Sequence, residues 1–173
     1  NIARLLALEN LIRHPRTASV VLGGVGLLAA LPILRTASPT DFGLGGILVA
    51  FAGLLVAGIG HEAAHAVATK AEGCRIGRAG IGLFWFTPVI YVDTSDTWSI
   101  PPSGRIRVNI AGPLFNLALA GASGLAARLA PAGIAQDVLV WLALANVVLV
   151  LFNISPLLEF DGYYVLADLT NTN

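Results

Sequence analysis

The feature that most limits the fold of this chain is a set of four long runs without a charged residue. These runs cover residues 17–34, 42–60, 108–127 and 138–158. Each is close to the ~20 apolar residues that a helix needs to cross the hydrocarbon core of a bilayer. Because an unpaired backbone group is costly in lipid, runs of this kind are expected to be helical. The pattern predicts an all-α membrane protein with four transmembrane helices.

The overall composition supports a membrane protein and argues against a nucleic-acid binder. Of the 173 residues, 56% are hydrophobic and 12% are charged, and the mean hydropathy is +0.80. Soluble domains carry about twice that share of charge. Ten basic residues balance ten acidic ones, so the clustered basic excess that nucleic-acid binding requires is missing. The lipid bilayer is therefore the expected partner, and nucleic acid is not.

We predict a single intramembrane core over residues 1–173, with an interfacial segment at 1–16. The predicted transmembrane helices cover residues 17–35, 42–71, 108–129 and 137–158. The connection at 72–107 contains Ala79–Val92, a charge-free stretch rich in aromatic and β-branched residues. Because it is too short to span a bilayer, we expect a short β-strand or re-entrant segment between helices two and three.

The basic residues are unevenly distributed over the predicted connections. Eight lie on one side of the four helices, and only Arg35 and Arg128 lie on the other. Lys and Arg accumulate on the cytoplasmic side of short loops. Both termini and the connection at 72–107 are therefore predicted to face the cytoplasm. Nine of the ten basic residues are arginine, a bias common in GC-rich bacteria, so a multi-pass protein of a bacterial cytoplasmic membrane is expected.

The second charge-free run leads directly into the sequence HEAAH, which contains two of the chain's three histidines. Residues four apart lie on one face of a helix, so His61 and His65 can grip one ion. The spacing is the HExxH signature of zinc peptidases, in which the glutamate, here Glu62, acts as general base. Ionisable groups within membrane spans are costly and usually mark a functional site. The motif therefore predicts a zinc site with a catalytic carboxylate.

A third ligand has to come from elsewhere, and the end of the fourth run offers one in NISPLLEFDG. Pro156 disturbs the preceding helical turn and Gly162 permits a bend, so Asp161 is expected on broken helix facing protein or a water-filled cavity. By the predicted topology, helices two and four end at the same membrane face. We therefore expect Asp161 to join His61 and His65 around a Zn²⁺ ion.

The third run carries small or polar residues at every fourth position, namely Gly112, Asn116, Ala120 and Gly124. Small residues let membrane helices approach closely, so contact between helices two and three is expected. Generic packing and a role in forming the site are equally compatible with this stripe. A buried amide needs partners, so Asn116 is expected either to contact substrate or to tie helices together.

Four further residues have simpler interpretations. Cys74 is interpreted as a small apolar residue, with a fourth zinc ligand as the less favoured alternative. Asp93 and Asp96, in VDTSDTW, are expected to form turns. Glu159 is expected to be an exposed acid at the interface, although a role beside the metal ligands is a second interpretation.

Three motifs now stand in order: HEAAH at 61–65, AGPLFN at 111–116 and NISPLLEFDG at 153–162. Together they resemble the site-2 protease family of intramembrane zinc metalloproteases, whose core carries HExxH, GPxxN and NxxPxxxxDG. The resemblance implies that His61, His65 and Asp161 bind zinc and that Glu62 is the catalytic base. It further implies that Asn153, with Asn116, supports the substrate or the transition state.

The resemblance implies hydrolysis of a peptide bond in or beside the membrane, in a substrate unwound to an extended strand. An edge strand of the connection at 72–107 could receive that strand. The stretches FTPVIYVDTSDTW and LEFDGYYVLADLTNT resemble a bacterial branch of peptide zinc metalloproteases, so peptide export or maturation systems are expected partners. The alternative is a non-proteolytic accessory of such a system, in which zinc only staples two helices. A staple has no need of Glu62, so that residue discriminates between the two.

Overall fold

The computed structural model describes Gly24, Leu28 and residues 43–84 and 87–172. The predicted interfacial segment at 1–16 lies outside the described residues. The same holds for the predicted first transmembrane helix at 17–35, apart from Gly24 and Leu28, which are both helical. The account that follows therefore concerns the second predicted helix onward.

Three helical stretches of the described chain are long and apolar enough to span a membrane. The first, α1, covers Gly43–Ala71. The second consists of α2 (Pro102–Asn109) and α3 (Ala111–Leu129), which only Ile110 separates. The third, α4, covers Ile134–Ile154, and their mean hydropathies are 2.1, 1.5 and 2.2. These lengths and compositions support a membrane protein.

Three helix boundaries differ from the sequence prediction, and one of them is the start of the last long helix, at Ile134 instead of residue 137. Helix begins at Pro102 instead of residue 108, because Arg105 and Arg107 both make ion pairs and so need not remain in a solvated loop. The break at Ile110 follows from Pro113, which has no N–H to donate to the carbonyl four residues earlier. The last long helix ends at Ile154, two residues before Pro156, and not at residue 158.

The connection between α1 and α2 contains the predicted extended segment. Strand β1 (Ala79–Phe84) pairs antiparallel with β2 (Thr87–Val92), with Ala79 opposite Val92. A 3₁₀ helix (Ser95–Ser99) then leads to α2. After α4, residues 155–160 form turns and bends, and the short helix α5 (Asp161–Thr170) follows.

The chain divides into two compact units, which are described separately. One comprises residues 1–54 and 117–147. Within it, Ala127 and Val140 are fully buried, and Leu139 packs against them. The Gln136 side chain donates a hydrogen bond to the carbonyl of Ala127 (3.0 Å) near the end of α3. An apolar contact and a capped helix end thus characterise this unit.

The other unit comprises residues 55–116 and 148–173, and its interior is unusually polar. The side chains buried there include His61, His65, Thr69, Asn116 and Asp168. Its large apolar side chains, by contrast, include strongly exposed ones, such as Val67 at 70% and Leu157 at 88%. Apolar surface outside and polar groups inside is the arrangement expected of a membrane protein with a functional site in its interior.

The end of α1 depends on Gly73, which has a φ of 81°. The N–H of Gly73 donates to the Lys70 carbonyl and that of Cys74 to the Thr69 carbonyl, both at 3.1 Å. These are the two hydrogen bonds of a Schellman motif, which requires a left-handed residue. Glycine therefore ends the helix where the hairpin must begin.

Replacing Gly73 with Ala should lower stability by about 1 kcal/mol, because a Cβ is strained in the left-handed region. In thermal unfolding of the detergent-solubilised protein, this corresponds to a fall of roughly 2–4 °C. Gly58→Ala is the matched control, since a Cβ there would meet nothing within 4 Å and alanine favours helix. Equal unfolding temperatures for the two variants would contradict the assigned role of Gly73.

Candidate metal centre

Two imidazoles on successive turns of α1 form the base of the candidate site. His61 and His65 are 8% and 7% exposed, and their rings meet edge to face with centroids 4.7 Å apart. Their Nε2 atoms lie 3.1 Å from each other. The helical spacing expected from HEAAH is thus realised, with both Nε2 atoms directed to one point.

Asp161, near the end of the sequence, places its carboxylate at the same point. It is the first residue of α5, and its carboxylate lies 3.2 Å from Nε2 of His61 and 3.4 Å from Nε2 of His65. The bend before α5 requires Gly162, because a Cβ there would overlap the backbone of Ile154. The structure therefore brings together the three residues that the sequence predicts as ligands.

The other nitrogen of each imidazole has a fixed partner. Nδ1 of His65 lies 2.8 Å from the carbonyl oxygen of Val108, which can only accept a hydrogen bond. Nδ1 of His61 lies 2.5 Å from Oδ1 of Asn116, which also accepts. When Nδ1 carries the hydrogen, the Nε2 atom of a neutral imidazole carries the lone pair. Both Nε2 atoms are therefore prepared to act as ligands.

The donor set fits a divalent cation such as zinc. Two nitrogen lone pairs and a carboxylate converge, and Oδ2 of Asp161 is buried without a hydrogen-bond partner among the described residues. Ligands of a tetrahedral zinc ion, at about 2.0–2.1 Å from it, lie about 3.3 Å from one another. The observed separations of 3.1, 3.2 and 3.4 Å match that value. Without a cation between them, these electron pairs would repel.

Gly112 on α3 completes the enclosure. A Cβ at this position would overlap the Nε2 atoms of both His61 and His65. The small-residue stripe predicted from the sequence thus includes one position with a specific role at the site. Phe115, three residues later on α3, lies against Gly60 of α1, where a Cβ would overlap its ring. Helices two and three are therefore in close contact here, as the stripe predicts.

Glu62 lies beside the imidazoles and contacts the hairpin. Its Oε2 accepts a hydrogen bond of 2.9 Å from the backbone N–H of Val92. The neighbouring Asp93 N–H instead donates to the Arg78 carbonyl of the other chain segment, at 2.8 Å. Since successive N–H groups of a strand point in opposite directions, Val92 presents its N–H on the free edge of β2. The candidate base is thus bound to the edge strand.

Glu62, His65 and Asp161 line one cavity of about 320 Å³. Its other walls come from the segment Val92–Ser95, from Thr97 and Trp98, and from polar residues of α2 and α5. A cavity of this size admits a short stretch of peptide, within the range of small-ligand pockets. The carboxylate of Glu62 therefore has access to anything that enters beside the three ligands.

The remaining predicted residues have varied positions. Asn116 is 1% exposed and binds His61, so it ties helices together through a candidate ligand. Asn153, in the last turn of α4, donates its amide to the carbonyl of Leu149 at 2.9 Å. Cys74 is buried, but within the described residues the group that could hold an ion contains only His61, His65 and Asp161.

Of the two acidic residues near the hairpin, Asp93 has the predicted turn-forming role, whereas the Asp96 carboxylate joins two distant segments. Asp93 accepts a hydrogen bond from the Ser95 N–H at 2.9 Å, and Asp96 accepts one from the Arg75 N–H at 2.7 Å. Hydrogen bonds from Ser95 lower the pKa of Asp93, and the Arg75 N–H lowers the pKa of Asp96. Glu159 is exposed, as expected.

Sequence reasoning missed the groups that hold the ligands and the base. The Val108 carbonyl and the Val92 N–H belong to the backbone, so the type of residue at these positions gives no indication of their role. Gly112 was detectable only as one of several small residues. The pairing of Arg105 with Asp168 across the cavity also has no local signal, since the two residues belong to different helices.

Two curated proteins of Mycobacterium tuberculosis, from strains Erdman and H37Rv, are similar to this chain. Both are named "Putative zinc metalloprotease Rip3" and are 31% identical to it over 125 residues. The similarity covers 69% of this chain but 29% of each relative, so the chain spans less than a third of their length. No model of a protein family matches the chain, and no solved structure matches it.

The name of these relatives, a zinc metalloprotease, agrees with what the three motifs imply and with the cluster of His61, His65 and Asp161. They support a protease at the general level, and the donor set is compatible with zinc. The similarity thereby bears out the resemblance of this chain to the site-2 protease family.

Proposed function

We propose that this chain forms the core of a zinc-dependent endopeptidase of the site-2 protease type, which cleaves a peptide bond in or beside the membrane. The observation that carries the proposal is the convergence of His61, His65 and Asp161, because His65 and Asp161 line the same cavity as Glu62. A closed structural site would use four protein ligands, whereas a catalytic site keeps one position for water or substrate.

In this proposal His61, His65 and Asp161 hold the ion, and Asn116 and the Val108 carbonyl fix the two imidazoles. Zinc supplies a Lewis acid that makes water nucleophilic near neutral pH and polarises a carbonyl. Removal of a group that hydrogen-bonds to a metal ligand commonly lowers metal affinity 10–100-fold. The buried hydrogen bonds behind the ligands are therefore part of the proposed machinery.

Glu62 is the proposed general base. Its carboxylate takes a proton from the attacking water and delivers it to the leaving amine, which needs a group within hydrogen-bond reach of both. The Val92 N–H holds one of its oxygens at 2.9 Å, and this contact orients the carboxylate toward the cavity. Asn153 is proposed to contact the substrate through its carboxamide oxygen, because its amide group donates to Leu149.

The substrate is proposed to add as a strand to the free edge of β2. Ile90 lies two residues before Val92, so its N–H points to the same edge, and this places the next backbone donor beside Glu62. Two residues before Ile90, Pro88 has no N–H to donate to an added strand. The free edge can therefore hydrogen-bond only a short segment of peptide. Main-chain hydrogen bonds would hold an extended peptide in register with the ligands.

The setting of the reaction is proposed from the sequence. The termini and the site face the cytoplasm of a bacterial membrane, as the distribution of basic residues indicates. The substrate is a membrane-embedded or membrane-associated peptide, and peptide export or maturation systems are the proposed partners. The alternative, a zinc-stapled accessory without proteolytic activity, gives no role to the position of Glu62 in the cavity.

Glu62→Gln should leave zinc content unchanged and reduce cleavage of a membrane-tethered peptide by about 10²–10⁴-fold, the usual contribution of a general base. Metal analysis of the purified protein and a gel assay of cleavage provide the two measurements. Glu159→Gln, which alters an exposed acid, is the control and should change neither. If wild-type protein binds zinc but cleaves no peptide in a Glu62-dependent manner, the accessory role is correct.

Asn116→Ala should weaken zinc binding by about 10–100-fold, because His61 loses the acceptor that fixes its ring. Competition with a chromogenic chelator gives the dissociation constant. Asn146→Ala is the control, since Asn146 is equally buried but donates to the Leu142 carbonyl of its own helix. A similar loss of affinity in both variants would assign the effect to general destabilisation.

Ile90→Pro should reduce kcat/KM for a membrane-tethered peptide at least tenfold and leave zinc content intact, because it removes an edge donor without removing a bond between β1 and β2. Ile81→Pro tests the opposite edge, since Ile81 faces Ile90 in the register and is 77% exposed. If the two prolines have the same effect on cleavage, strand addition at β2 is wrong.

A further inference from the structure

One face of α5 carries a line of residues directed into the cavity. Asp161, Tyr164 and Asp168 are spaced by three and four residues, so they lie on one side of the helix. All three line the cavity that contains Glu62 and His65. Asp161 approaches the imidazoles, and the Tyr164 ring meets the Trp98 ring edge to face with centroids 6.4 Å apart. The third residue, Asp168, forms an ion pair.

The partner of Asp168 is Arg105 on α2. Nε of Arg105 donates to Oδ1 of Asp168 at 2.8 Å, Nη2 donates to the same oxygen, and Nη1 donates to the Ile100 carbonyl at 3.0 Å. The guanidinium also lies 5.2 Å from the centre of the Trp98 ring. The side chains of Arg105 and Asp168 are 14% and 2% exposed. Several contacts therefore fix this pair in one arrangement.

Helix α2 contacts the ligand His65 directly and contacts α5, the helix that carries the ligand Asp161. Three residues after Arg105, the carbonyl of Val108 accepts the Nδ1 hydrogen of His65. The same short helix thus fixes His65 on α1 through Val108, and α5 through Arg105. Asp161 follows a segment of turns and bends, which by itself does not determine where α5 begins. A rigid helix transmits the position of Asp168 to Asp161, about 10 Å away along its axis.

A contribution to folding stability is a weak explanation for a buried ion pair. Taking two charges out of water costs about as much as their attraction returns, so a buried ion pair contributes little to stability compared with apolar residues of the same size. A unique arrangement of the groups around it is the better-supported benefit of a buried pair. In this chain the pair joins α2 to α5, the helix that begins at Asp161.

We propose that Arg105 and Asp168 are positioning residues that set the third ligand, Asp161, at the correct height and rotation for the ion. The inference rests on the proposed zinc site and extends it to two residues outside the motifs of the chain. Neither residue touches the ion in this scheme; they act through helix α5.

Asp168→Asn tests the proposal. Zinc affinity, measured by chelator competition on the detergent-solubilised chain, should fall about tenfold or more, as for other groups that orient ligands. Cobalt substitution should give a visible absorption spectrum that differs from the wild-type spectrum, since the Asp161 carboxylate is displaced. A purely structural role would lower the unfolding temperature and leave this spectrum unchanged.

The Glu72–Arg107 pair provides a matched control on the same helix. Arg107 donates two hydrogen bonds to Glu72 at 2.5 and 2.6 Å, and this pair connects α2 to the residue after α1 without involving α5. Glu72→Gln should therefore leave zinc affinity and the cobalt spectrum unchanged. A loss of affinity in Glu72→Gln equal to that in Asp168→Asn would overturn the proposal.

A second variant covers the case in which Asp168→Asn does not fold because Arg105 is left unpaired. In Arg105→Met with Asp168→Leu, the pair carries neither charge nor hydrogen-bonding groups, so neither side chain is left unpaired. Weaker zinc binding in this double variant supports positioning, and wild-type affinity in either folded variant overturns it. Absence of zinc binding in the wild-type chain would instead overturn the proposed function itself.

Discussion

The structure depends on the convergence of three electron-pair donors in a buried place. Nε2 of His61 and Nε2 of His65 face each other at 3.1 Å, and a carboxylate lies within 3.4 Å of each. Such a group is unfavourable in a low-dielectric interior unless a cation neutralises it. The hydrogen bonds of both Nδ1 atoms prevent the rings from turning away. The surrounding helices therefore hold a donor set that is compatible with a bound cation.

The interior that surrounds these donors explains why so many polar residues occur in an apolar chain. Asn116, Thr69 and Asp168 are buried with hydrogen-bond or ion-pair partners. Large apolar residues such as Leu55 and Val56 are exposed instead, in contact with lipid if the helices span a bilayer. Each buried polar group needs its partner, so the polar contacts fix the helices relative to one another within this unit.

The hairpin links the candidate base to the route by which a peptide would arrive. The Val92 N–H binds Glu62 on the edge of β2 that is not occupied by β1. A peptide added at that edge would therefore pass the carboxylate before it reaches the three ligands. The two strands anchor Glu62 through the Val92 N–H, and in the proposed function they also hold the substrate.

The sequence determined the elements whose signals are local. Runs without charge gave three of the described helices, because lipid selects for apolar segments of a fixed length. The spacing of His61 and His65 fixed their common face, since that follows from helix geometry alone. The predicted topology, in which helices two and four end at the same membrane face, made Asp161 the third candidate ligand. The pairing of residues in the hairpin and the start of helix at Pro102 were less accessible, because both depend on partners distant in the chain.

Only the tertiary structure decided which groups support the site. The Val108 carbonyl and the Val92 N–H have the same chemistry in every residue, so the sequence cannot single them out. The importance of Gly112 depends on the two imidazoles that lie against it, and that of Arg105 on Asp168, 63 residues away. Local periodicity specifies which face a side chain occupies, whereas packing between helices specifies what that face meets.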